Sequence, residues 1–187
     1  RMFEGCSSLK SLNLSNFDTS KVTLFNDMFL GCNSLEILDV SGLDTSSVTN
    51  MGNMFTGCNS LKSLNLSNFD TSKVIHMDNM FKDCQSLEIL DISNFDTSSV
   101  LNFVHMFVNC SNLKSIDISH FNTPNVDNMH GMFENCNSLE YLELGNLETS
   151  SVTNMRYMFY NCYSLKSLNL NSFSTDNVNC FDEMFFN

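Results

Sequence analysis

Residues 54–81 read MFTGCNSLKSLNLSNFDTSKVIHMDNMF and end on the same Met-Phe pair with which they begin. The step is 26 residues, and it extends in both directions without insertion: Met2, Met28, Met54, Met80, Met106, Met132, Met158 and Met184 are each followed by Phe. Cys6, Cys32, Cys58, Cys84, Cys110, Cys136 and Cys162 keep the same step, as do the Thr column from Thr19 to Thr175 and the Val column from Val22 to Val178. Self-similarity at a fixed period of 20–50 residues is the signature of a solenoid, in which each repeat buries its apolar face against its neighbours. Numbered 1 to 26 from Arg1, all 12 Met fall at positions 2 and 25, and 16 of the 17 Phe fall at positions 3, 17 and 25. Large apolar residues are thus confined to a repeating core pattern, and residues 1–187 read as one solenoid domain of seven coils.

Within one coil, Leu61, Leu64 and Leu66 form an LxxLxL segment that recurs as Leu, Ile or Val. Alternation at positions 12 and 14 points two side chains inward from a short strand at about 10–14 and leaves positions 11 and 13 outside, on a parallel sheet. Positions 22, 25, 2 and 3 recur at spacings of three, three and one, which suits one face of a short helix at about 20–4. Thr at position 19 is a good N-cap, and Pro124 and Asp176 at position 20 suit a first turn. Position 5 (Gly5, Gly31, Gly57, Asp83, Asn109, Asn135, Asn161, Asn187) carries residue types that tolerate positive φ and end helices. The expected fold class is therefore an α/β repeat solenoid with a parallel sheet on the concave side and short helices on the convex side. Neither end carries a polar cap, and the expectation is a segment of a longer chain.

The repeat MFxxCxSLxxLxLSxFDTSxVxxM resembles the BspA-like leucine-rich-repeat surface proteins of bacteria and some protozoa, over the whole length. That resemblance implies a right-handed leucine-rich-repeat coil stack, exported to the cell surface or secreted, that serves adhesion or recognition of a protein or glycan on a host or neighbouring cell. Phe or Leu follows the strand (Phe17, Leu43, Phe69) where an Asn is common in such repeats, so an Asn ladder is not expected.

Composition narrows the chemistry. With 42% hydrophobic and 16% charged residues the chain is globular, and no apolar run approaches the ~20 residues of a transmembrane helix. A net charge of −12 disfavours nucleic acid and anionic lipid, which require basic patches, and suits cationic partners. The sequence lacks GxSxG, HExxH, a Gly-rich phosphate loop and CxxC, so neither an enzyme nor a cofactor site is expected. One Cys per coil, in parallel, reads as a column of buried reduced thiols; Cys180, at position 24, is expected to be more exposed. Of the four His, only His105 and His130 can approach each other.

Three surface features remain. Position 10 alternates Lys and Glu from Lys10 to Lys166, and position 11 alternates Ser with Ile37, Ile89 and Tyr141, so the true unit is 52 residues; cross-strand ion pairing is the expected role of the charges. Position 13 places Asp91, Asp117 and Glu143 on three successive coils, where a basic partner or a cation such as calcium would relieve repulsion. The Asp column at position 18 is assigned to Asx turns. Finally, all four Tyr fall between residues 141 and 163. Tyr157 and Tyr160 are expected on one exposed helix face beside Arg156 and Tyr163, a composition enriched at binding hot spots, which makes these residues and Tyr141 candidates for partner binding or self-association. The alternative function is a structural spacer or fibre segment without a ligand site.

Overall fold

A computed structural model describes residues 1–145 and 147–186. Asn187, counted above among the position-5 residues, lies outside the described residues. Each of the first six coils contributes one three-residue strand: β1 (Ser11–Asn13), β2 (Ile37–Asp39), β3 (Ser63–Asn65), β4 (Ile89–Asp91), β5 (Ser115–Asp117) and β6 (Tyr141–Glu143). All pairings are parallel and in the register of the repeat, Leu12 opposite Leu38 and Leu64 opposite Leu90. The strands couple in twos, β1 with β2, β3 with β4 and β5 with β6, so the 52-residue unit of the sequence is also the unit of the sheet. Inward residues of this segment, Leu14, Leu66, Ile92, Ile118 and Leu144, are buried.

The expected convex helices are not present: among the described residues there is no helix, and hence none long and apolar enough to cross a membrane. Residues 25 to 6 of each coil form a chain of turns instead. Position 1, in the middle of the predicted helix, has positive φ in Asp27 (58°), Asn53 (56°), Asn79 (56°), His105 (56°), Gly131 (57°), Tyr157 (58°) and Glu183 (53°). Position 5 does the same four residues later, as in Asp83 (61°) and Asn109 (60°). A left-handed residue every fourth position forbids an α-helix. The hydrogen bonds show what replaces it. Amides of positions 25, 1, 3 and 5 donate to the next coil (Met51 to His76, Asn53 to Asp78, Phe55 to Met80, Gly57 to Lys82), and the amides between them close i→i−3 turns (Met54 to Met51, Thr56 to Asn53, Cys58 to Phe55). Backbone groups that a helix would satisfy internally here tie coil to coil. The expected concave and convex sides lose their basis, since helices, which pack ~8–10 Å apart against ~4.8 Å for strands, would have supplied the curvature.

The core is a set of columns. Phe3, Phe29, Phe55, Phe81, Phe107, Phe133, Phe159 and Phe185 stack ring on ring, with successive centroids 5.4–5.9 Å apart. Met54, Met80 and Met106 are fully buried beside them.

Candidate interaction site

Most repeated polar residues are used up in holding coils together. The Thr of position 19 is not a helix N-cap, since there is no helix to cap. Thr71 donates through Oγ1 to the Asp96 carbonyl (2.9 Å) and accepts from the Asp96 amide (2.8 Å), and Thr19, Thr45 and Thr97 do likewise. Each buried hydroxyl staples two coils. The position-18 carboxylates close Asx turns onto the amides of Ser20, Ser46, Ser72 and Ser98, as the sequence indicated. The thiols of Cys32 to Cys162 donate to the position-3 carbonyl of the preceding coil, as Cys84 does to Phe55 (3.2 Å), and are buried and unpaired. Burial raises their pKa, that of Cys162 to about 12. Cys6 departs from the expected burial and is exposed. Cys180 is half-buried, 3.7 Å from Asp182.

Asn ladders do form, contrary to expectation. At position 16, Asn68 Nδ2 donates to the Leu43 carbonyl (3.0 Å), Asn94 Nδ2 to that of Phe69 (2.8 Å), and the His120 ring sits 3.0 Å from the Ile92 carbonyl. At position 5, side chains bond in series from Asn161 through Asn135 to Asn109 and Asp83. The Asn lies one residue before the Phe or Leu used to judge its absence, and runs of Asn at one position were the signal missed.

On the strand face, position 13 is exposed except at the half-buried Asp39, but its oxygens are partly committed. Asp39, Asp91 and Asp117 accept the amides of Ser41, Ser93 and Ser119, closing Asx turns at the strand end. Those Ser groups hold Asp91 and Asp117 below the usual carboxylate range. Glu143, one methylene longer, is followed two residues on by Gly145 with φ 56°. Among the described residues no group of three His, Cys, Asp or Glu is placed to hold a metal ion. The alternating charges of position 10 make one ion pair among the described residues, Lys166 with Glu140, and the same ammonium lies 4.8 Å from the Tyr141 ring centroid and 3.1 Å from its hydroxyl. The expected full ladder of cross-strand pairs is thus absent there.

The tyrosines divide. Tyr157 and Tyr160 touch edge to face (centroids 5.3 Å), but on the turn face and half-buried, not on an exposed helix face. Arg156 lies over Tyr157 (4.5 Å to the centroid) and donates from its guanidinium to the Tyr157 hydroxyl (2.7 Å); Tyr160 stacks on Phe186. Tyr141 and Tyr163 are exposed elsewhere and do not join them. Two residues not counted in this site do: His130 lies 5.7 Å from the Tyr157 ring and 4.7 Å from the His105 ring. His105 occupies the space a Cβ on Gly131 would need, and its Nε2 is 4.0 Å from Glu134. Burial, helped by His130 and Lys82, pushes the His105 pKa down to about 4, and burial raises that of Glu134. His130 Nδ1 and Arg156 Nε are buried without a hydrogen bond among the described residues. Residues 105, 130, 134, 156, 157 and 160 therefore form a continuous patch on the turn face, rich in aromatic faces, with Arg156 Nε 4.0 Å from the Asp182 carboxylate.

The family described as "Mycoplasma protein of unknown function, DUF285" matches residues 1–115, 27–139 and 85–187. A leucine-rich-repeat protein of T. pallidum superposes with a TM-score of 0.58 at 24% identity, over 88% of this chain and 69% of that one. Leucine-rich-repeat proteins from Bacteroides ovatus (TM-score 0.45, 19% identity, 96% and 62% covered) and Eubacterium ventriosum (0.44, 15%, 83% and 53%) are similar at lower agreement. No curated protein matches. The BspA-like leucine-rich-repeat resemblance read from the residues stands.

Proposed function

This chain belongs to the DUF285 family, and on that premise we propose that it is a non-enzymatic recognition module, exported to the cell surface or secreted, that binds a protein or glycan. The observation that carries this reading is the turn-face patch around Arg156, Tyr157 and Tyr160. Most repeated polar columns have structural partners, whereas this patch breaks the repeat and keeps two buried nitrogens, His130 Nδ1 and Arg156 Nε, without a hydrogen bond among the described residues. Aromatic faces beside Arg and His suit the C–H faces and hydroxyls of a sugar or the main chain of a peptide. Asp91, Asp117, Glu143 and the net charge of −12 add attraction for a basic partner. A spacer role is favoured by one observation, the unbroken Phe stack and coil-to-coil amide ladder, which make a stiff rod.

The test is a glycan array and a pull-down against extracellular matrix proteins, with the Arg156→Ala and Tyr157→Asn/Tyr160→Ser variants. Asn suits the left-handed backbone of residue 157, as it does at Asn53 and Asn79. Loss of binding with a thermal midpoint within a few degrees supports the patch. Binding unchanged in both variants places the site away from this patch, and absence of binding in the unmodified chain supports the spacer.

A further inference from the structure

The strand face carries a second, independent pattern. Ile37 and Ile89 are 67% and 70% exposed and Tyr141 53%, all on even coils at position 11; odd coils have Ser11, Ser63 and Ser115 there. Strands stack ~4.8 Å apart, so apolar ridges alternate with notches every ~10 Å. Beside the Ile37 ridge a cavity of about 470 Å³ is lined by Glu36, Ile37, Ser60, Lys62 and Ser86. Charge follows the same parity. Every ridge coil bears Glu at position 10 (Glu36, Glu88, Glu140) and every notch coil bears Lys (Lys10, Lys62, Lys114). Lys10, Glu36, Lys62, Glu88 and Lys114 form no ion pair within this chain among the described residues.

The geometry points to a second copy of this chain as the occupant of that face. A two-fold axis parallel to the strands and passing between two neighbouring coils reverses coil order, so every odd coil lies opposite an even one. One operation then seats each Ile or Tyr ridge over a Ser notch and sets each Glu against a Lys. With the axis between the third and fourth coils, Ile37 meets Ser115, Ile89 meets Ser63, and Tyr141 meets Ser11. At position 13 the same operation sets Asp91 against Asn65 and Glu143 against Asn13, while Asp39 lies opposite Asp117. Such an isologous contact is the commonest kind in homo-oligomers, and it leaves the Arg156–Tyr157–Tyr160 patch outside the interface.

Sedimentation analysis of the whole chain across concentrations tests this. The expected species is twice the 21.2 kDa monomer. Ile37→Asp/Ile89→Asp weakens it by roughly 100-fold or more, because the contact loses its apolar ridges and would have to strip water from two carboxylates beside Glu36 and Glu88 of the same chain. Lys62→Glu/Lys114→Glu and Glu36→Lys/Glu88→Lys are each expected to be monomeric alone and to associate when mixed. Tyr157→Asn/Tyr160→Ser dimerises as the unmodified chain does, which separates this inference from the recognition patch. A monomer at all concentrations, a dimer indifferent to Ile37→Asp/Ile89→Asp, or charge-reversed variants that fail to associate on mixing would overturn it.

Discussion

A thiol and a hydroxyl at fixed positions do most of the polar work between coils. Cys58, Cys84, Cys110 and Cys136 are buried under the carbonyl they donate to, and burial raises their pKa, so the reactive thiolate is suppressed. Cys6 and Cys180 lack that cover. A thiol reagent at neutral pH is therefore expected to modify Cys180 in the folded chain well before the thiols from Cys32 to Cys162, which react only after unfolding, as mass spectrometry of labelled peptides would show. Equal labelling of all eight would contradict the buried column. The Thr staples follow the same logic: a small β-branched residue with one hydroxyl reaches both the amide and the carbonyl of position 18 in the next coil, and burial makes the pair costly to leave unmade.

The element that decides the molecule's cross-section is the turn chain. Apolar spacing at positions 22, 25, 2 and 3 is shared by a helix face and by a run of turns that buries the same side chains, so spacing alone selects neither. The discriminating residue is position 1, where Asp27, Asn53, Asn79 and Gly131 are types that accept positive φ. The substitution Asn53→Ala reads the difference by sign. In a helix it would stabilise by up to ~0.7 kcal/mol, whereas on a left-handed residue it is expected to cost ~1–2 kcal/mol in chemical denaturation.

At the scale of the whole molecule, stability is a sum of coil interfaces. Phe81 sits between Phe55 and Phe107, with centroids 5.6 Å away on either side, and is wholly buried. Phe81→Ala is expected to cost ~3–5 kcal/mol and to split the unfolding transition, since it weakens both flanking interfaces of a one-dimensional stack. Denaturation followed by hydrogen exchange would show the central coils opening first. The sequence by itself determined the period, the 52-residue unit, the strand and its inward residues, the buried thiols and the Asp turns, because these depend on residue type at a fixed spacing within one coil. Only the tertiary structure decided what each repeated group reaches in the next coil. The Thr column became a staple, the Asn columns became ladders, and alternate amides turned outward to the neighbouring coil in place of a helix. It also brought His130 against both His105 and Tyr157, which lie 25 and 27 residues away along the chain. These outcomes rest on stacking at about strand spacing, which exposes each backbone group to a partner 25 or 26 residues away and rewards the left-handed positions that make such bonds continuous.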